Sequence, residues 1–289
     1  MRDDAPSRTA QWVAAARGLG RLLPEAVRLA DDPYGLAFSS PALARRINDS
    51  RSGRGAAVAR LPGLATWIAY MQVRTRLIDD AVRAFAAAGG HQIVVLGAGY
   101  DCRALRLAEL ADAQVYEIDH PATQGHKLEV LARLGITSPA QYVTWDFETH
   151  PMDDLPGALA DAGHDPTAAS LTIWEGVTMY LTEGAIEASL RAITSWSPAG
   201  SELAMTYYAR AHLTSRSLIT RTIRAMVQRL GEPFQFGWTP DELPGYLAAR
   251  GLRLAHDVAM VDAARELLPP ELAAQVTQGD SRIAFARME

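Results

Sequence analysis

After about residue 90, short apolar runs alternate with longer amphipathic stretches. The apolar runs are rich in β-branched residues and predict seven strands: His91–Leu96, Gln114–Ile118, Gln141–Trp145, Ser170–Trp174, Ser201–Thr206, Leu252–Val258 and Ile283–Ala286. The intervening stretches have helical periodicity, at Ala104–Leu110, Ala122–Leu134, Thr182–Ser195 and Pro240–Ala249. Such alternation is typical of a mostly parallel sheet that helices cover on both faces. The pattern therefore predicts an α/β fold.

Two further parts of the chain are predicted to be helical. Residues 1–90 form an N-terminal cover, and the segment 207–240 interrupts the alternation as a lid. The lid carries apolar side chains at helical spacing: Ile219, Ile223, Met226 and Leu230. The arginines around them either form a solvated face or hold an anionic ligand. With the core at 91–206 and the last part of the sheet at 241–289, we expect one domain spanning residues 1–289.

Composition and charge narrow the class of protein. With 289 residues, 48% of them hydrophobic, the chain has enough apolar material for a packed core. A net charge of −5 argues against a nucleic-acid or membrane-surface binder. The first residues, Met1 to Asp4, are too polar for a secretory signal, and no apolar run is long enough to span a membrane. We therefore expect a cytoplasmic protein; no oligomeric state follows.

Cysteine and lysine each occur once in the chain, whereas arginine is abundant. Cys102 is the only cysteine, which excludes an intrachain disulfide and a zinc site built from cysteines. Lys127 is the only lysine among 28 basic residues. The arginine excess is explained either by codon bias or by recognition of carboxylates or phosphates, which suits the planar guanidinium.

Four successive predicted strands end in residues that can carry chemistry. The first ends in Gly97-Ala98-Gly99, and the next three end in Asp119, Asp146 and Glu175. In open α/β sheets the ligand site lies at the carboxyl ends of the strands. One acid there is as readily a helix cap or turn former. Three acids and a glycine turn in chain order favour a ligand site.

The same residues indicate which ligand fits. A dinucleotide fingerprint requires a third glycine where Cys102 stands, and Asp101 would repel a pyrophosphate. Asp119 follows Gly97 at about the interval of an acid that binds ribose hydroxyls. A ribose-containing cofactor without phosphates satisfies both observations. S-adenosylmethionine is such a cofactor, and an acidic rim suits its sulfonium and amino group.

One arginine occupies a position that is expected to be buried. A helix predicted from Leu64 carries an apolar stripe at helical spacing: Trp67, Met71, Ile78, Val82 and Phe85. Arg74 falls on that stripe and Arg76 on the opposite side. A buried arginine needs an anionic partner. The partner is either a core carboxylate, such as Asp119 or Glu175, or the carboxylate of the cofactor's amino-acid tail.

At these residues the chain resembles a known family. Four ordered motifs carry the resemblance: Arg74 to Asp79, Val94 to Asp101, Tyr116 to Pro121 and Trp174 to Thr182. They are similar to the leucine carboxyl methyltransferase family, most of all to its bacterial branch of polyketide-type O-methyltransferases. The resemblance implies a class I methyltransferase fold, Rossmann-like with seven strands, and S-adenosylmethionine as methyl donor.

The resemblance also implies which residues bind the cofactor. By position, Arg17 and Arg74 match residues at the methionine carboxylate, and Gly97 and Gly99 match the turn beneath the methionyl part. Asp119 matches the acid at the ribose, Asp146 and Phe147 match the pair at the adenine, Glu175 matches the acid near the amino group, and Tyr180 matches a tyrosine beside the acceptor pocket. Ala98 and His120, which adjoin these residues, are further candidates for cofactor binding.

The sequence says less about the residues that would bind the methyl acceptor. Tyr180 and His120 are candidate catalytic residues, and Tyr180, Tyr207, Tyr208 and Arg210 are candidate substrate-binding residues. A hydroxyl acceptor is best served by a general base, whereas a carboxylate needs none. The candidate bases His120, His126 and His212 are more simply interpreted as structural or exposed. Aromatic residues flanking the lid either form an acceptor pocket or fasten the lid.

The sequence thus predicts an S-adenosylmethionine-dependent O-methyltransferase that acts on a carboxyl or hydroxyl group of a small, polyketide-like metabolite, without a metal. One alternative is a protein C-terminal carboxyl methyltransferase, the activity of the eukaryotic family members. Another is a nicotinamide-dependent oxidoreductase, which Cys102 opposes. A catalytically silent cofactor-binding protein is the last alternative.

Overall fold

A computed structural model describes residues 5–39, 63–214 and 233–289. Within them lies one seven-stranded sheet, with strands β1 (Gln92–Leu96), β2 (Gln114–Asp119), β3 (Gln141–Thr144), β4 (Ser170–Trp174), β5 (Glu202–Tyr208), β6 (Leu252–Ala259) and β7 (Ser281–Met288). The strand order is β3-β2-β1-β4-β5-β7-β6, and β7 runs antiparallel to both of its neighbours. The predicted seven-stranded α/β fold is therefore confirmed.

Two helices of the described residues precede β1, and the others lie in the connections between the strands. They are α1 (Arg8–Leu19), α2 (Leu64–Ala87), α3 (Arg103–Arg106), α4 (Pro121–Arg133), α5 (Leu155–Asp161), α6 (Glu183–Trp196), α7 (Ala211–Thr214), α8 (Leu243–Ala248), α9 (Met260–Leu267) and α10 (Pro270–Ala273). Within these residues, we find no helix with both the length and the apolar character that crossing a bilayer requires.

The central strand β1 is buried on both faces because helices pack on each side of the sheet. Ile93 and Val95 belong to the same apolar cluster as Val82 of α2. Val94 and Leu96, which point to the opposite face, belong to the cluster that contains Ile186 of α6. Residues buried on both faces explain why β1 is an uninterrupted apolar run in the sequence.

Helix α1 lies against the carboxyl edge of the sheet. Its N-cap is Ser7, whose hydroxyl accepts a hydrogen bond from the Ala10 amide at 3.1 Å. The Ser7 amide in turn donates to the Thr123 hydroxyl of α4 at 3.0 Å. On its inner side, Ala10 lies close to Gly99, where an added Cβ would lie 3.2 Å from the Ala10 Cβ. The N-terminal helix therefore covers the glycine turn that follows β1.

Some predicted boundaries are wrong. The stretch Ala104–Leu110 is not one helix: α3 ends at Arg106, and a 3₁₀ turn follows at Ala108–Leu110. Between them Leu107 has an extended backbone, with φ −96° and ψ 112°, and its side chain packs into the core. Strand β5 continues to Tyr208, two residues beyond its predicted end. The predicted lid residues 215–232, with their apolar stripe, lie outside the described part.

Candidate cofactor site

A cavity of about 390 Å³ opens at the carboxyl edge of the sheet, between the ends of β1 and β4. The strand order reverses there, which is where ligands bind in open α/β sheets. Its wall includes all four predicted strand ends, with Gly97, Ala98, Gly99, Asp119, Asp146 and Glu175. We call this space the edge cavity.

Backbone atoms of the glycine turn, Gly97 to Gly99, line one side of the edge cavity. Gly97 and Gly99 have φ angles of +72° and +54°, in the left-handed region that favours glycine. A Cβ on Gly97 would lie 2.5 Å from a Val177 side-chain methyl, so any other residue would collide with the wall opposite. The amides of Gly97 and Ala98 both donate to the Ile118 carbonyl, at 2.9 and 3.0 Å. The turn is thus fixed to the end of β2.

Asp119, the last residue of β2, is held by backbone donors. The amide of Gly99 donates to Oδ2 of Asp119, and the His120 amide donates to Oδ1 at 2.7 Å. Burial raises the pKa of Asp119, while these two donors act in the opposite direction. Each carboxylate oxygen keeps a second lone pair, so Asp119 can also accept hydrogen bonds from ligand hydroxyls.

Arg74 and Glu175 form a buried ion pair in the cavity wall. The Nε of Arg74 donates to Oε1 of Glu175 at 2.7 Å, and their side chains are 6% and 8% exposed. Arg74 comes from α2, as its place on the apolar stripe predicted, whereas Arg76 has a side chain that is 39% exposed. Of the two carboxylates proposed as partners, the structure selects Glu175. Because both side chains line the cavity, the pair can also meet a ligand.

The positive charges around Glu175 keep it ionised. Burial alone would raise the pKa of Glu175, but Arg103, Arg74 and Arg17 lower it to about 2. Arg17, in α1, donates from Nε to Asp32 at 2.9 Å and from Nη2 to the Tyr100 carbonyl. Burial would lower the pKa of Arg17, yet Asp32 and the neighbouring carboxylates raise it. Glu175 and Arg17 are therefore both charged at neutral pH.

Asp146 and Phe147 lie at the open rim of the edge cavity and are half-buried. The Glu148 amide donates to Asp146 at 2.9 Å and the Thr149 hydroxyl donates at 2.8 Å. These bonds lower the pKa of Asp146, the backbone donor most of all. The pair could border a planar ring at the rim, but Asp146 also serves as a turn former there.

His120 lines the cavity but is placed as a helix cap. Its Nδ1 accepts a hydrogen bond from the Ala122 amide at 3.2 Å, at the start of α4. A neutral ring that accepts at Nδ1 carries its proton on Nε2, so Nε2 is a donor. This hydrogen bond supports the structural interpretation of His120, because the Nδ1 lone pair is used by the helix; a catalytic role stays a prediction. It remains a possible donor to a bound ligand.

Of the predicted substrate residues, only Tyr180 lines the edge cavity, where its ring stacks on Phe234 at 5.5 Å. Tyr207 is buried elsewhere, and its hydroxyl donates to Asp257 at 2.8 Å. Tyr208 packs on His212, with ring centroids 4.2 Å apart. These two tyrosines belong to β5 instead of the lid, and Tyr208 also packs on Phe234, with ring centroids 5.2 Å apart. Their role in acceptor binding stays a prediction.

Two more predicted residues are also placed away from the cavity wall. Arg210 donates to Glu242 at 3.1 Å and to the Gly237 carbonyl at 3.2 Å, with half of its side chain exposed. It therefore fastens the chain after β5, and its role as an acceptor ligand stays a prediction. His126 bonds to the Tyr100 hydroxyl at 2.8 Å through Nδ1, which supports its structural interpretation.

Sequence reasoning missed the buried charges behind the cavity wall. Arg103 contacts Asp79, Asp101 and Glu175, and Arg106 also bonds to Asp79. A signal existed, because Asp79 lies one helical turn from the apolar stripe positions of α2 and a buried carboxylate requires a cation. The chain position of that cation was not deducible from the helix alone.

The residues fit S-adenosylmethionine and disfavour a dinucleotide. Arg17 and Arg74 can hold a carboxylate, Glu175 can hold an ammonium, and Asp119 can hold ribose hydroxyls. A pyrophosphate requires free amides at a helix N-terminus. Here α3 has only four residues, and its first amide, on Arg103, already donates to Asp101 at 2.7 Å. Within the described ranges, no three His, Cys, Asp or Glu side chains form a group that could hold a metal ion.

Solved structures of other proteins have a similar fold. A DUF574 family protein from Streptomyces avermitilis superposes with a TM-score of 0.60 at 18% identity, covering 95% of this chain and 97% of that protein. A Thermobifida fusca protein, provisionally named a methyltransferase, gives 0.55 at 16% identity, covering 94% of this chain and 97% of that one. At these identities the likeness concerns the fold alone.

Sequence comparison identifies relatives as well. A Mycolicibacterium smegmatis protein, provisionally named an S-adenosylmethionine-dependent methyltransferase, is 36% identical over 232 residues, which cover 78% of this chain and 70% of that protein. A Streptomyces coelicolor protein with the same provisional name is 34% identical over 62% of this chain. The chain spans about 60% of the length of that relative.

The family model for leucine carboxyl methyltransferase matches residues 10–194. That match includes α1 with Arg17, α2 with Arg74 and the strands β1 to β4 that border the edge cavity. The resemblance read from four short motifs is thereby confirmed over most of the chain. The protein belongs to the leucine carboxyl methyltransferase family.

Proposed function

We propose that this protein is an S-adenosylmethionine-dependent O-methyltransferase whose cofactor binds in the edge cavity. The observation that carries the proposal is the buried Arg74–Glu175 pair beside a glycine turn that a Cβ would obstruct. A paired cation and anion match the zwitterionic end of an amino acid. Gly97 lines the cavity without a side chain, which allows close approach of that tail, and Asp119 supplies acceptors for a ribose.

In this proposal the residues of the cavity bind the cofactor, orient it and exclude water. When bound, S-adenosylmethionine would supply an activated methyl group for in-line displacement. Arg17 and Arg74 fix a carboxylate end, and Asp119 fixes a sugar, so the ligand is held at two separated points. Helix α1 covers the glycine turn and shields this side of the cavity from solvent.

The acceptor in this proposal is a small molecule with an acidic oxygen. The cavity wall also includes Val177, Tyr180, Leu181 and Ala185, from the segment that follows Glu175 in the chain, and these side chains suit an apolar or flat body. With His120 committed as a cap, an acceptor that is already ionised requires the least from the protein. A carboxylate of a polyketide-like compound fits best, and an acidic phenol is next. That residues 1–289 form one domain acting in the cytoplasm stays a prediction.

A transfer assay with methyl-labelled S-adenosylmethionine tests this function. The purified protein is incubated with aromatic carboxylic acids and phenols, and separately with lysate proteins. We expect label in small molecules and its release as methanol by alkali, since alkali cleaves methyl esters and leaves aryl ethers intact. Label that survives alkali would indicate a hydroxyl acceptor. Label in lysate proteins would contradict the small-molecule assignment, and no transfer to any acceptor would indicate a silent binding protein.

A further inference from the structure

Behind the wall of the edge cavity, one arginine joins three separate elements. Arg103 is 2% exposed and does not line the cavity. Its Nε donates to Asp79 at 2.9 Å, its Nη2 donates to Glu175 at 2.8 Å, and its Nη1 donates to Asp101. All five N–H donors of a guanidinium lie in one plane, so the three carboxylates are held in a fixed arrangement.

The three partners of Arg103 lie where the amino-acid tail of the proposed cofactor would be bound. Asp101 follows β1 and Glu175 follows β4, so they stand on opposite sides of the point where the strand order reverses. Both line the edge cavity. Asp79 belongs to α2, five residues after Arg74. One side chain therefore connects the two loops and the helix that together form this end of the cavity.

Arg103 is the guanidinium that pairs with all three carboxylates of this buried cluster, whereas Arg106 pairs with one of them. Arg74, Arg103 and Arg106 oppose Asp79, Asp101 and Glu175, all of them buried or nearly so. Without Arg103, Asp101 would lose its only ion-pair partner within the described residues. Among the described residues, Glu175 would keep Arg74 as its ion-pair partner and Arg17 as a second nearby cation, and its pull on the Arg74 guanidinium would draw that group away from a ligand. Buried carboxylates without a cation move toward solvent or take up a proton.

We propose that Arg103 is a positioning residue that sets the geometry of the tail-binding end of the edge cavity. The inference rests on the proposed use of S-adenosylmethionine. It predicts that Arg103 affects the binding of ligands that carry the amino-acid tail and leaves the nucleoside end unaffected, because Asp119 accepts its hydrogen bonds in the described structure from backbone amides and makes none to Arg103.

Arg106 offers a matched control from the same short helix. It is also buried, and its Nη1 and Nη2 bond to Asp79 at 2.6 and 2.7 Å. It lines no part of the cavity and bonds to neither Asp101 nor Glu175 in the described structure. Replacing Arg106 by Gln therefore removes an equally buried charge while sparing the tail-binding end.

The experiment compares Arg103→Gln, Arg103→Lys and Arg106→Gln with the parent protein. Calorimetry measures affinity for S-adenosylhomocysteine and for 5′-methylthioadenosine, which has the nucleoside and sulfur but no amino-acid tail; thermal unfolding measures stability. Both Gln variants are expected to unfold at lower temperature. Arg103→Gln should weaken S-adenosylhomocysteine binding by about tenfold or more. Its affinity for 5′-methylthioadenosine, and both affinities of Arg106→Gln, should stay within about twofold.

Arg103→Lys keeps the charge but cannot bridge three carboxylates, so it should fold and show an intermediate loss for the tailed ligand. Equal losses for both ligands, or equal effects of the Arg103 and Arg106 variants, would overturn the proposal. If neither Arg103 variant folds, the residue belongs to the core and the proposal is likewise overturned. A parent protein that binds neither ligand would instead contradict the proposed function.

Discussion

Arg74 and Glu175 are 101 residues apart in sequence, yet Nε of one donates to Oε1 of the other at 2.7 Å inside the protein. The attraction between the two charges offsets the free-energy cost of burying each of them. The pair stands between α2 and the end of β4, at the wall of the edge cavity. A ligand with both an ammonium and a carboxylate can join this pair without leaving a net buried charge.

Arg74→Gln is expected to weaken S-adenosylhomocysteine binding by about 1–3 kcal/mol, the range of a lost charge-assisted hydrogen bond. Calorimetric titration measures the change. The control is Arg76→Gln on the opposite face of α2, where the guanidinium pairs with Asp80 near the surface. Equal affinities of the two variants would remove Arg74 from the cofactor site.

Gly97→Ala should both destabilise the fold and abolish cofactor binding. The left-handed conformation costs a non-glycine residue about 1–2 kcal/mol, and the new Cβ would also overlap Val177. Gly251→Ala is the control, since Gly251 has φ +75° with nothing within 4 Å of the added atom. Chemical denaturation should therefore show a larger loss for Gly97→Ala.

The double variant Gly97→Ala/Val177→Ala separates the two costs. It removes the overlapping methyl group and should recover stability toward that of Gly251→Ala. If Gly97→Ala behaved like Gly251→Ala from the outset, the close approach of the turn to Val177 would not exist in solution.

Stability should depend on pH through Glu175. Although burial acts to raise its pKa, the neighbouring arginines lower it to about 2, from an ordinary value of 4.5. A carboxyl group whose pKa is lower in the folded state than in the unfolded state stabilises the fold at pH values above its unfolded pKa. That contribution is lost as the pH falls through the folded-state pKa. The free energy of unfolding should thus decline between about pH 5 and pH 2, and the decline should be shallower in Glu175→Gln.

The control for this pH series is Asp153→Asn, because Asp153 is exposed and its one ion pair within the described residues is with exposed Arg191. Denaturation curves at several pH values give the slopes. An unchanged slope in Glu175→Gln would show that Glu175 is not held as an ion in the folded state.

Substitution of Lys127 tests the buried ion pair between Lys127 and Glu117. Its ammonium donates to Glu117 and to the Asp101 carbonyl, and it is 1% exposed. Burial would lower the pKa of Lys127, but Glu117 raises it. Lys127→Met should cost about 3–5 kcal/mol of unfolding free energy by leaving Glu117 unpaired.

The double variant Lys127→Met/Glu117→Leu should regain part of that loss in urea denaturation, because an apolar pair can replace a buried ion pair. A loss below about 0.5 kcal/mol in the single variant, the range of ordinary surface substitutions, would contradict the buried pairing.

The sheet and the strand-end residues were predictable because buried parallel strands are apolar throughout. Every predicted strand lies within two residues of its observed bounds. Since such strands all end at one edge, the ends of β1, β2 and β4 had to meet there. The same periodicity placed Arg74 on the buried face of α2.

The partners of these residues were not predictable in the same way. Nothing local distinguishes Glu175 from Asp119 as the partner of Arg74, since both follow buried strands. Arg103 was missed because α3 is too short to show a periodic pattern. Tyr207 and Tyr208 were assigned to the lid because β5 extends beyond its apolar run, and consecutive strand residues point to opposite faces.

Calorimetric titration of the parent protein with S-adenosylhomocysteine and with NAD⁺ tests the central claim most directly. The arginines that flank Glu175 and the blocked first amide of α3 predict saturable binding of S-adenosylhomocysteine and no binding of NAD⁺. Saturable binding of NAD⁺ with no binding of S-adenosylhomocysteine would contradict the account.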